Sequence, residues 1–153
     1  MNKDDIQQRL SLLPDGLAEE NLQTWQYAIQ YYQQAVEDFP EVIQHQPEAI
    51  SDYPIYKHLL DLVQTISKSG QEKLFRVNPS LSMLIISVTT AMEKDYGDLF
   101  IVVDVRADNL PYVAYSGRDE VIEFFECQIN EIMPTLLLLL DRLWNETRGK
   151  NNV

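Results

Sequence analysis

The stretch that decides the fold is residues 81–116, which read LSMLIISVTTAMEKDYGDLFIVVDVRADNLPYVAYS. Residues 82–90 and 98–106 are rich in β-branched and aromatic side chains, which indicates two β-strands, and residues 110–115 indicate a shorter third strand. The segments between these strands are too short for crossover helices, so neighbouring strands must run antiparallel. A small sheet is unstable unless helices cover its apolar face. The stretch therefore predicts an antiparallel meander packed against helices.

The sheet has three to four strands in this interpretation, because residues 73–77 indicate one more short strand at its edge. Alternation puts Leu84 and Ile86 on one face of their strand and Met83 and Ile85 on the opposite face. Both faces are apolar in the middle. Either helices cover the sheet on both sides, or one face serves for association with another molecule.

Apolar residues at helical spacing predict three helices before the sheet, at about residues 2–13, 18–39 and 52–69. We expect Asn2 to cap the first helix and Pro40 to end the second, because proline cannot donate the helical hydrogen bond. Gly70 follows the third helix, where it can adopt a left-handed cap.

Residues 117–147 are predicted to form one long helix, since Ser116 and Asp119 give the Ser-x-x-Asp capping pattern at its start. Pro134 must either kink this helix or restart it. The predicted fold class is thus α+β, with one domain over residues 1–153. It consists of a helical part at 1–70, the β-meander at 71–116, a long kinked carboxy-terminal helix at 117–147 and a polar tail at 148–153.

The composition excludes several classes of function. The net charge of −12 opposes binding to nucleic acid and to anionic membranes. No apolar run approaches the ~20 residues that a transmembrane helix needs. The chain has a single cysteine, Cys127, which excludes an internal disulfide and a cysteine-based zinc cluster. With no recognisable leader at the amino terminus, these features predict a cytoplasmic protein.

No arrangement of residues predicts catalysis, a metal or a cofactor. His45 and His58 lack a partner at metal-binding spacing, and the chain has neither a Gly-x-Ser-x-Gly motif nor a glycine-rich phosphate loop. Asp104 and Arg106 lie on one face of a strand, where they form either an exposed ion pair or a ligand-facing acid with its counter-ion. Cys127 lies among carboxylates, which disfavour a reactive thiolate.

We therefore expect a non-catalytic protein–protein interaction module, such as an adaptor, a regulator or a small chaperone, that forms a homodimer. The candidate interface combines the leucine-rich end of the chain with two exposed tyrosines. Its residues are Leu136, Leu138, Leu139, Leu140, Leu143, Trp144, Tyr27 and Tyr31.

Two other classes of function remain open. An acidic inhibitor or immunity-type protein would hold a basic enzyme by electrostatic attraction to an acidic face formed by Asp119, Glu120, Glu123 and Glu126. A small-molecule-binding protein or an enzyme with an unrecognised site would need a pocket, for which the space between the Tyr27 and Tyr31 helix and the sheet is the candidate.

Overall fold

The computed structural model describes residues 3–48, 53–88, 98–105 and 110–148. Within these ranges there are four α-helices, namely α1 (Lys3–Ser11), α2 (Leu17–His45), α3 (Tyr53–Ile66) and α4 (Ile132–Glu146). The same ranges contain five strands, namely β1 (Arg76–Ser80), β2 (Met83–Ser87), β3 (Leu99–Asp104), β4 (Tyr112–Gly117) and β5 (Val121–Glu126). They form one sheet in the order β1-β2-β3-β4-β5, and every neighbouring pair is antiparallel. The predicted α+β class and the meander are confirmed, with one strand more than expected.

The additional strand corrects the prediction for residues 117–147. Residues 121–126 form β5 rather than the first half of a helix, and α4 begins only at Ile132. Their β-branched and aromatic side chains fit a strand as well as a helix, and pairing with β4 decides between the two. Pro134 lies in the first turn of α4, where its missing N–H costs little, so α4 begins just before this residue and is not kinked by it.

The second helix is longer than predicted, because Pro40 does not end it. Helix α2 continues to His45 with Pro40 inside it, although Pro40 cannot donate to the carbonyl of Val36. Pro40 is exposed, so water can satisfy the carbonyl that the proline leaves without a helical donor. Asn2, the predicted cap of the first helix, lies outside the described residues.

One face of the sheet forms the core with the helices. Val77, Ile86, Ile101 and Tyr115 lie opposite one another on four successive strands and are all buried. The same hydrophobic core includes residues of α2, α3 and α4. Its largest buried side chains are Trp25, Tyr32, Tyr115, Phe75, Leu59, Ile66, Leu74, Leu84, Ile86, Ile101, Leu136 and Leu140.

The opposite face of the sheet is less covered, which we call the open face. Met83, Ile85, Phe100 and Val102 belong to it and are only half-buried, and none of them is part of the helix-covered core. Helices in the described part of the chain therefore pack on one side of the sheet. Within the same ranges, none of the helices combines the length and the apolar character that crossing a bilayer requires.

Candidate interaction site

Helix α2 covers the outer edge of β1 with polar side chains. The indole Nε1 of Trp25 donates to the carbonyl of Phe75 at 2.8 Å, and the N–H of Val77 donates to Thr24 Oγ1 at 3.1 Å. Val77 lies in β1 and Phe75 directly precedes the strand, and both backbone groups are bound by α2. Because an exposed strand edge is a template for pairing with another chain, these contacts close that edge to partners.

Two tyrosines of α2 hold the turn between β1 and β2. The N–H of Leu81 donates to the hydroxyl of Tyr31 at 3.2 Å, and the hydroxyl of Tyr32 contacts the carbonyls of Leu81 and Met83, both at 3.1 Å. Burial raises the pKa of Tyr32 far above its ordinary value. Tyr31, a predicted interface residue, is thus half-buried and occupied within the domain.

The outer edge of β5 is open by comparison. The N–H of Cys127 donates to the carbonyl of Pro111 at 2.9 Å, and opposed residues of an antiparallel pair alternate between hydrogen-bonded and non-hydrogen-bonded. Val113 and Phe125 are therefore a hydrogen-bonded pair, whereas the backbone groups of Phe124 and Glu126 point away from β4. Among the described elements, β4 is the only one that makes extensive contact with β5.

Every residue of β5 is exposed, although four of the six side chains are large and apolar. Val121 is 57% exposed and Phe124 is 52% exposed, and Ile122 and Phe125 are also exposed. A strand with apolar side chains on both faces and one open edge is unusual at the surface of a domain. We call residues 118–126, the turn and the strand together, the β5 surface.

Arg142 of α4 forms an ion pair with β5 on the helix-covered side of the sheet. Arg142 Nη1 lies 2.5 Å from Glu123 Oε1, Arg142 Nε lies 2.9 Å from Glu146 Oε1, and the guanidinium stacks 4.3 Å from the centre of the Tyr115 ring. Hydrogen bonding to Glu146, with a further contribution from Glu123, raises the pKa of Arg142. The strand is thus positioned by its neighbour β4 and by this cation.

On the open face, Phe124 rests on a tyrosine that a buried acid holds in place. The rings of Phe124 and Tyr112 are 4.8 Å apart between centres. Asp104 is fully buried and accepts hydrogen bonds from Ser82 Oγ at 3.0 Å and from the Tyr112 hydroxyl at 3.1 Å. Of the two alternatives for Asp104, the exposed ion pair is wrong, because the carboxylate is buried. The two hydroxyl donors offset the cost of that burial. Arg106, the predicted partner, lies outside the described residues.

The predicted acidic face lies on the β5 surface, not on a helix. Asp119 and Glu120 are in the turn before β5, and Glu123 and Glu126 are in the strand, all of them exposed. The turn is closed by the N–H of Gly117, which donates to the carbonyl of Glu120 at 2.7 Å. The structure thus brings the four carboxylates next to the exposed apolar residues, which sequence reasoning did not select.

The candidate interface on α4 is mostly occupied within the domain. Five of its six residues are buried in the core, namely Leu136, Leu139, Leu140, Leu143 and Trp144. Leu138 is 75% exposed and lies at a cavity of about 330 Å³ that Arg9 and Gln71 also line. On α2, Tyr27 is 59% exposed, and the centre of its ring lies 6.4 Å from the centre of the Tyr31 ring. Of the predicted interface residues, only Leu138 and Tyr27 are largely exposed, and they lie on two different helices, α4 and α2, so they do not form the predicted interface.

A groove lies where the sequence places a small-molecule site. It has a volume of about 400 Å³ between α2 and β1, and Glu20, Gln23, Tyr27 and Arg76 are among its lining residues. A second cavity of about 210 Å³ includes His58 and Asp61. In the described ranges, no three histidine, cysteine or acidic side chains converge as metal ligands. Cys127 is buried, with its Sγ 3.5 Å from the carbonyl of Phe125.

Comparison of the chain with protein-family models, with curated proteins and with solved structures finds no match. The sequence prediction does not select Val121, Ile122, Phe124 and Phe125 as site residues, because it places residues 117–147 in one long helix. The signal that could have identified them is the density of β-branched and aromatic residues in VIEFFE directly after a turn.

Proposed function

We propose that this chain is a non-catalytic protein–protein interaction module, of the adaptor, regulator or small-chaperone type, that binds its partner at the β5 surface. The observation that carries the proposal is the exposure of Val121, Ile122, Phe124 and Phe125 on a strand with an open edge. Contiguous exposed apolar side chains rimmed by polar residues are typical of interaction sites.

The chemistry of the partner follows from the charge around these residues. Residues 118–126 contain four carboxylates and one guanidinium, Arg118, in a chain whose net charge is −12. A basic partner is attracted to such a surface, and the attraction accelerates its association. An acidic inhibitor or immunity-type protein is the second candidate, because the same four carboxylates would face a basic enzyme. A homodimer remains the prediction for self-association, and a cytoplasmic location remains the prediction from the single cysteine.

The experiment compares two lysine substitutions that are alike in chemistry but differ in place. Phe124→Lys adds a cation to the β5 surface, whereas Leu138→Lys adds one to an exposed leucine of α4. Each variant and the wild-type protein are used to capture proteins from the native cell extract at low and at high salt, and quantitative mass spectrometry measures what is retained. We expect basic proteins to be lost with Phe124→Lys and with high salt, and to be kept with Leu138→Lys. Equal retention by all three proteins would contradict the proposal.

A further inference from the structure

The two edges of the sheet differ in whether another element covers them. At β1, side chains of α2 occupy the outward backbone groups, as the contact between Thr24 and Val77 illustrates. At β5, the outward N–H and C=O groups of Phe124 and Glu126 have no strand or helix beside them among the described elements. Natural proteins protect edges that are not used for pairing, so an edge left open beside apolar side chains favours an added strand.

The side chains of β5 set the pattern that an added strand must carry. Glu123 and Phe125 point to the helix-covered face, because they lie opposite Tyr115 and Val113, whereas Phe124 and Glu126 point to the open face. Along residues 123–126 the order is thus acid, aromatic, aromatic, acid. Directly opposed residues of paired strands interact most strongly, with opposite charges and apolar pairs favoured. The complementary order is basic, apolar, apolar, basic, and it reads the same in either strand direction.

We infer that the partner of this protein contributes an extended segment with the order basic, apolar, apolar, basic, which pairs with the outer edge of β5 as a sixth strand. The inference rests on the proposed function and specifies how the partner is bound. A second copy of this chain fits the edge less well, because pairing β5 with itself brings four carboxylates from each copy into one strip between two chains of net charge −12. Of the four carboxylates on the β5 surface, Arg142 contacts only Glu123, and its charge is shared with Glu146.

The probe is a blocked peptide with lysine, valine, isoleucine and lysine at its centre and threonines at both ends. One control peptide replaces the lysines by glutamates, and another permutes the central four residues so that the charges become adjacent. Titration of full-length protein, followed by NMR, should show that the first peptide binds at least tenfold more tightly than either control. Its affinity should fall at least fivefold between 50 mM and 500 mM salt.

Two perturbations separate strand pairing from docking by side chains alone. Glu126→Pro and Glu126→Ala both remove the carboxylate, but only proline removes the outward N–H, and an outward N–H of an edge strand is dispensable for folding. We expect at least tenfold weaker binding by Glu126→Pro than by Glu126→Ala. In the peptide, N-methylation of alternate residues should abolish binding for one set of positions and spare it for the other set, a result that does not depend on how Glu126→Pro folds.

The outcomes distinguish this inference from the function on which it rests. If the peptide binds, but neither Glu126→Pro in the protein nor N-methylation of either set of peptide residues weakens its binding, strand addition is overturned while binding at the β5 surface stands. If the protein dimerises in sedimentation experiments and Glu126→Pro abolishes the dimer, the occupant is a second copy and a basic partner strand is overturned. If no peptide binds and Phe124→Lys leaves partner capture unchanged, both proposals are overturned.

Discussion

Thr24 closes the edge of β1, and its replacement by valine tests that role with almost no change in shape. Its Oγ1 accepts from the N–H of Val77 at 3.1 Å and donates to the carbonyl of Asn21 at 2.7 Å. Thr24→Val removes both hydrogen bonds and leaves the N–H of Val77 facing a methyl group. Leaving a buried donor without an acceptor costs about 1 to 3 kcal/mol.

The expected loss of stability lies in the lower half of that range, because the contact is only partly buried. A decrease of about 1 to 2 kcal/mol corresponds to a Tm lower by roughly 2 to 8 °C for a chain of this length. The matched control is Thr65→Val on α3, where the exposed hydroxyl donates to the carbonyl of Asp61 at 2.7 Å. Such a surface change is expected to cost less than about 0.5 kcal/mol.

Urea denaturation followed by circular dichroism measures the free energy of unfolding of the three proteins, with thermal melts as a second readout. We expect Thr24→Val to be less stable than both wild-type protein and Thr65→Val, with an unchanged slope against urea. Equal stability of the two variants would refute the reasoning that α2 closes the β1 edge through this hydroxyl.

Three further predictions concern other parts of the domain. Burial holds the pKa of Tyr32 above its ordinary value of about 10, so the unfolded state loses that proton first as pH rises. The free energy of unfolding, measured by urea denaturation at each pH, should therefore fall above about pH 10. It should fall less in Tyr32→Phe, which has no hydroxyl proton at this position. Arg142→Met should cost about 1 kcal/mol and accelerate amide exchange in β5, because its ion pairs and its stacking on Tyr115 are lost. Cys127 should react with a colorimetric disulfide reagent about 100-fold more slowly in the native protein than in urea, since reaction requires local opening.

The sequence predicts the centre of the fold well because local pattern and tertiary structure agree there. Alternating β-branched residues in 82–88 and 98–105 leave little choice other than strands, and short connections make them antiparallel. The same residues that alternation assigned to one face, such as Leu84 and Ile86, are those that the helices bury. On the opposite face, Ile85 and Val102 are half-buried and are not part of the core that the described helices cover. Association through this face stays a prediction.

Residues 121–126 show where local pattern is insufficient. Val121, Phe124 and Phe125 have helical spacing, yet the same six residues are good strand formers. The open side of β4 provides hydrogen-bond partners that a local periodicity cannot reveal. The four acids of the predicted acidic face are exposed, but they lie on a turn and a strand and not on a helix. The sequence prediction does not select the apolar residues between them.

In the leucine run of α4, the sequence pattern cannot predict which side chains are buried. Five consecutive leucines, residues 136–140, contain no information about which side of the helix faces the core. The chain buries Leu139 and exposes Leu137 to 39% and Leu138 to 75%, a choice that the run of identical residues does not reveal. The burial of Asp104 could not be predicted from the sequence either. It depends on the hydroxyl donors Ser82 and Tyr112, which only the register of the strands brings close to the carboxylate.

The contrast between a closed and an open sheet edge is tested most directly by hydrogen–deuterium exchange of individual amides in the free protein, read by NMR. The N–H of Val77 is bound by Thr24, so we expect it to exchange only on opening of the domain, whereas the outward amides of Phe124 and Glu126 should exchange at close to the rate of an unstructured peptide. Protection of Phe124 and Glu126 as strong as that of Val77 would contradict an open β5 edge.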